Sequence, residues 1–198
     1  MLAGVTPKPL LILPLAAVLG AAAPPLSFHP VGPQFAAASD DYRRVWEAEG
    51  PRIVEALERE SGLSFPANRI DVIVSEGRPM TAYDGRTIRL RASYSPAYKK
   101  ATLVHELGHR LALGFPSRGG LDDHRLLYLF LYDAWTDLYG QAFADRMVSI
   151  ERRIGPAYEA AWTWALAMTR EQRQARLAGL RTQPIASQTA PSSSPRLR

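Results

Sequence analysis

The chain predicts an α+β fold, mostly helical, with a small sheet placed just before its central helix. Three observations carry that expectation. Two short β-branched stretches, residues 69–75 and 87–92, lie close together in the first half. Long amphipathic or apolar segments with helical start and stop signals flank them on both sides. With 198 residues the chain is long enough for one domain with a real core and too short for two comfortable ones.

Taken in order, residues 1–38 read as a leader outside the fold. Lys8 is the sole charge before an apolar run over residues 10–23, which drifts toward Ala. That length suits a signal-peptide core and falls short of the roughly 20 residues of a membrane span. Ala36-Ala37-Ala38 before Ser39 offers a small-residue cleavage site. The expectation is a signal peptide or an N-terminal membrane tether over 1–38, so the protein is exported or tethered. A domain over 39–181 follows, then a Pro-, Ser- and Thr-rich tail over 182–198 read as disordered.

Ser39 or Asp40 can cap a helix that runs to about Glu60, with Val45, Ile53, Val54 and Leu57 on one side and Gly62 as its stop. Residues 69–75 alternate with a β-branched bias and predict a strand, which the Gly77-Arg78-Pro79 stretch breaks. After a turn signal at Tyr83-Asp84-Gly85-Arg86, residues 87–92 alternate strictly, with Ile88 and Leu90 on one face and Arg89 and Arg91 on the other. A half-exposed strand of this kind can hold an extended peptide if its edge is open. Ser95-Pro96 then opens a helix to about Leu113, and a Gly-, Pro- and Ser-rich loop leads to a second helix from about Asp122 to Tyr139. That second helix is apolar nearly all round, which predicts burial and leaves Asp133 and Asp137 to be explained. Residues 141–154 and 156–180 read as two more helices. Trp162 and Trp164 lie two positions apart, so at most one of them faces the core.

The chemistry is concentrated in Thr102-Leu103-Val104-His105-Glu106-Leu107-Gly108-His109. In a helix, residues i and i+4 share a face, so His105 and His109 can reach one metal ion. Glu106 points about 100° away from His105, near enough to act on a water held there. There is no cysteine, so thiolate zinc sites and iron–sulfur clusters are excluded and any metal must sit on His, Asp or Glu. The net charge of +5 comes from scattered arginines without a long run, so no nucleic-acid partner is expected.

The H-E-x-x-H segment and its setting, roughly residues 87–140, resemble the zincin metallopeptidases. The metzincin branch carries a Gly three residues, and a third His six residues, after the second His. Here those positions hold Ala112 and Phe115, and that branch is rejected. In the gluzincin branch an acid on the following helix ligates the metal, and another acid one turn later supports a ligand imidazole. The i, i+4 pair Asp133 and Asp137 has that spacing, so the resemblance implies Asp133 as third ligand. The aspzincin branch places its ligand Asp shortly before Tyr-Gly. Asp137-Leu138-Tyr139-Gly140 is one residue shorter than that pattern, and it offers Asp137 instead. His124 is the remaining alternative, since catalytic zinc usually keeps three protein ligands and one open position.

The resemblance therefore implies an exported zinc peptidase with Zn2+ on His105, His109 and an acid of the next helix, and with Glu106 as general base acting on a peptide or protein. Tyr128, Tyr132, Tyr139 and His124 are candidates to stabilise the oxyanion. The alternative is a non-catalytic metal-binding module associated with a membrane through its N-terminus.

Overall fold

The computed structural model describes residues 23–183. Four strands and six helices follow one another as β1 (Leu26–Pro30), α1 (Ala36–Ser61), β2 (Ile70–Ser75), β3 (Met80–Thr81), β4 (Thr87–Arg91), α2 (Pro96–Ala112), α3 (Asp123–Tyr139), α4 (Gln141–Arg152), α5 (Pro156–Leu166) and α6 (Arg170–Thr182). The class is α+β, with one mixed sheet ordered β1-β2-β4-β3. β1 and β2 pair in parallel, as do β2 and β4, while β3 runs antiparallel to β4.

The expected leader boundary at residue 38 is corrected. Leu26 to Pro30 form the far edge of the sheet, with Leu26 opposite Ile70 and Pro30 opposite Val74. A 3-10 turn over Pro33–Phe35 then feeds α1, which starts at Ala36. The pairing with β2 could not be read locally, because a parallel partner lies a whole crossover helix away in sequence. Most of the apolar run, residues 10–22, and the tail from residue 184 lie outside the described residues.

α1 ends where Gly62 takes φ 69°, a left-handed conformation that only glycine adopts at little cost, and its N–H reaches the Glu58 carbonyl at 2.8 Å. β2 and β4 show the alternation expected of them. Ile70, Val72, Val74, Ile88 and Leu90 are fully buried, and Arg89 faces solvent. β4 is not an open edge, however. The segment after Arg78-Pro79 folds back as β3, with Met80 opposite Arg89 and Thr81 opposite Ile88, so the free edge on this side belongs to β3.

α3 is the central helix and packs against α1, α2, α4, α5 and α6. Its apolar circumference has that cause. Leu126, Leu127, Tyr128, Leu129, Phe130, Leu131, Ala134 and Trp135 are all inaccessible to solvent. Asp122 caps it by accepting the Arg125 N–H at 2.8 Å. Downstream of Gly155, the expected single helix is two. Thr169 and Gln172 form a reciprocal capping box that starts α6 afresh, so the chain turns between Leu166 and Arg170. Trp162 is buried at the core and Trp164 only partly so, as their two-residue spacing requires.

Candidate metal centre

α2 positions the motif through its own sequence. Ser95 accepts the Tyr98 N–H and Pro96 fills the first helical position, so the helix phase is set ten residues before His105. That phase turns His105 and His109 to one side, with their Nε2 atoms 3.1 Å apart. A tetrahedral ion with bonds of 2.0–2.1 Å would separate two donors by roughly 3.3 Å. Between the two histidines Gly108 faces α3, where a Cβ would stand 2.6 Å from Leu127 Cδ1. The missing side chain lets α3 approach closely.

The consequence of that approach is His124. It sits in the first turn of α3, with its ring centroid 5.6 Å from that of His105 and 5.1 Å from that of His109. One nitrogen from each of the three imidazoles lies within 4.8 Å of the others. The widest of these separations exceeds a tetrahedral edge, but all three rings converge from two helices on one volume.

Glu151 of α4 supports this set. It is 3 % exposed, accepts from His105 Nδ1 at 2.8 Å, and is itself held by the Tyr128 hydroxyl at 2.9 Å and the Trp162 indole at 3.0 Å. A proton on Nδ1 leaves His105 Nε2 to face the cluster, the arrangement that supporting carboxylates impose on metal-binding histidines. Burial alone would raise the Glu151 carboxyl, but the neighbouring His105 and the three hydrogen bonds hold it below its ordinary value. The reciprocal effect raises His105, against its own burial. Burial, reinforced by His105 and His124, holds His109 well below the usual imidazole value. Burial and His105 push His124 down to about 4. Two of the three rings are therefore neutral donors near neutral pH, the state in which imidazole binds metal.

Glu106 lies beside the cluster, 4 % exposed, and its Oε2 accepts the Thr81 hydroxyl at 2.8 Å. The same hydroxyl oxygen lies 2.8 Å from the Glu106 carbonyl oxygen, sharing its single proton between the two and tying β3 to α2 at this point. Burial raises the Glu106 carboxyl, with His105 and Thr81 acting the other way. A carboxylate moved toward neutrality in this manner is suited to accept and return a proton.

A cleft of about 380 Å³ opens over His105, Glu106, His109 and His124. A second hollow of about 410 Å³ shares Arg78, His105, Glu106 and Tyr158 with it and extends past Tyr94 and Tyr98. Tyr158 of α5 stands where the two meet, its ring 4.3 Å from His124 and its hydroxyl accepting from Arg78 Nη2 at 3.0 Å.

The acids expected as third ligand are elsewhere, and that expectation is corrected. Asp133 receives Arg173 Nη2 at 2.7 Å and Nε at 3.1 Å in a buried bidentate pair. Asp137 receives Arg59 and Arg170, each at 2.8 Å. Along α3 they lie about 14 and 20 Å beyond His124. The tyrosines named as oxyanion partners line neither hollow and are engaged with other groups. Tyr128 binds Glu151, Tyr132 binds Asp145, and Tyr139 packs on Phe143.

Sequence reasoning missed Glu151, Thr81, Arg78 and Tyr158. For Glu151 a signal existed, since it continues the apolar stripe Ala144, Met147 and Val148 at helical spacing, and an acid on such a stripe needs a buried partner. No local signal marks the other three. No family model matches the chain, and neither does any curated protein or solved structure.

Proposed function

We propose that the chain is a metal-dependent hydrolase acting on peptide bonds, with zinc as its metal. His105, His109 and His124 would hold the ion, and Glu106 would act as general base. The observation that carries this reading is the convergence of three imidazoles beside a buried carboxylate on the wall of an open cleft. Three imidazole donors suit zinc, although copper, nickel and iron also take such ligands.

When bound, the ion supplies a Lewis acid that polarises a carbonyl and makes water a competent nucleophile near neutral pH. The chain supplies the remainder. Glu151 keeps His105 Nε2 directed at the cluster. Glu106 takes the proton from the attacking water and delivers it to the leaving amine, aided by its raised pKa. Thr81 holds that carboxylate in place from β3. Tyr158, whose hydroxyl accepts from Arg78, stands over the same volume and is the donor available for charge developing on the carbonyl oxygen.

A polypeptide substrate is favoured by the free edge of β3 beside Glu106, which offers backbone pairing to an extended chain. The rim agrees. Met80 and Tyr83 on one side and Ile154 on the other are exposed large apolar residues bordering the two hollows. The experiment is zinc loading of the full chain, then assay of Glu106→Gln. The variant should keep the metal and lose hydrolysis by about 10²–10⁴-fold, the range for removing a general base. Hydrolysis surviving in the variant would sink the assignment.

A further inference from the structure

The cleft wall is unbalanced in charge, and the imbalance has a position. Arg78 and Arg89 both line the cleft beside β3. Met80 and Arg89 are paired in register, so both side chains stand on the same face of the sheet, one strand apart, with Met80 on the free edge. Arg89 Cδ lies 3.9 Å from the point a Cβ on Gly77 would occupy, so its side chain runs along the loop that carries Arg78. Two arginine side chains therefore line the end of the cleft beside β3.

Neither of them has a carboxylate partner among the described residues. Arg78 donates to a neutral hydroxyl, that of Tyr158. The nearby acids are committed elsewhere, Glu76 to Arg91 and Asp123 to Arg118. Glu106 is turned toward Thr81. The other arginines that line the two hollows, Arg118 and Arg91, do meet carboxylates. A forked guanidinium on the cleft wall without a carboxylate of its own is free to make bidentate contacts to a bound one.

We infer that this end of the cleft binds a substrate carboxylate, so that peptides with an acidic group close to the scissile bond are preferred. The inference deepens the peptidase reading and rests on it for the word scissile, but the carboxylate site can be tested by binding alone. Both side chains are solvent-exposed, so each contact is screened. The preference expected is roughly fivefold per guanidinium, weakening as salt rises.

The test uses the full chain loaded with zinc and pairs of peptides that differ only by Glu or Gln within three residues of the cleaved bond. Each peptide is made with a free and with an amidated C-terminus. The ratio of kcat/KM within each pair is read for wild type, Arg89→Glu and the double variant Arg78→Ala/Arg89→Ala. Labelled copies of the same peptides are titrated into Glu106→Gln by fluorescence anisotropy. The inference holds if the Glu peptide is favoured about fivefold or more and Arg89→Glu abolishes or inverts the ratio. A preference that follows the free C-terminus instead assigns the site to the chain-terminal carboxylate, the same chemistry from another source. Equal handling of Glu, Gln, free and amidated peptides overturns it, as does a preference that survives the double variant. If no peptide is cleaved yet acidic ones bind in an arginine-dependent way, the peptidase reading fails and the carboxylate site stands.

Discussion

Replacing Asp133 by Ala separates the two possible ligand sets more sharply than any other single change. Asp133 and Arg173 are each 4 % exposed, and the guanidinium meets the carboxylate through three contacts of 2.7, 2.9 and 3.1 Å. Arg173 also donates to the Met168 carbonyl at 2.6 Å, a neutral partner that cannot balance a charge. Deleting the carboxylate strands a buried cation, which typically destabilises by about 3–5 kcal/mol. That is a large share of the roughly 5–15 kcal/mol that holds a domain together, and it corresponds to a fall in melting temperature of about 6–20 °C. Urea and thermal unfolding of the wild type and Asp133→Ala would measure the loss. The double replacement Asp133→Leu/Arg173→Met removes both charges and should recover most of it, because apolar residues of similar volume restore the burial without desolvated charge. Zinc titration completes the comparison. Asp133→Ala, where folded, should bind zinc like wild type, whereas His124→Ala should stay folded and lose affinity beyond the 10–100-fold typical of a supporting partner. A stable Asp133→Ala protein that no longer binds zinc would refute the assignment of Asp133 to a structural pair.

Three further outcomes follow from the same geometry. Glu151→Gln keeps the hydrogen-bonding shape around Tyr128 and Trp162 but removes the charge facing His105 Nδ1, so zinc affinity should fall about 10–100-fold by competition titration. Asp137 is pulled below its ordinary pKa by hydrogen bonds from Arg170 and Arg59, which outweigh the opposing effect of burial. A carboxyl depressed in the folded state stabilises fully above its unfolded pKa of about 3.9 and loses that contribution as pH falls through the folded value. The stability gap between wild type and Asp137→Asn in urea should therefore be widest near neutrality and close below about pH 4. If the leader is cleaved, N-terminal sequencing should place the new terminus before Leu26. Removal up to Ala38 would strip β1 from β2 and cut into α1, and that truncated chain should fail to refold.

How much was legible depended on how far apart the interacting residues lie. The site helix could be read to within a residue or two, because Ser95, Pro96 and the His105–His109 spacing all act inside one helix. The strands around Ile70–Ser75 and Thr87–Arg91 announced themselves through period-two alternation. β1 carried no such pattern, and its place in the sheet depends on a parallel partner more than 40 residues later. β3 is two residues long, below the length at which alternation can register, yet it brings Thr81 to Glu106.

The ligand set shows the division most clearly. Local spacing determined that His105 and His109 share a face with Glu106 beside them, and that an apolar helix with two acids follows. Spacing could not tell which of those acids faced the histidines, because that depends on where the second helix crosses the first. The crossing is set by Gly108 against Leu127 near the start of α3, so His124 meets the pair, while Asp133 and Asp137 lie farther along, beside arginines from α1 and α6. A buried acid is drawn to whichever cation the tertiary packing delivers, and here the cations arrive from segments 33 to 78 residues away. The motif itself was a property of the sequence. Its third histidine, its Glu151 support and the two unpaired arginines at its cleft exist only once the helices are packed.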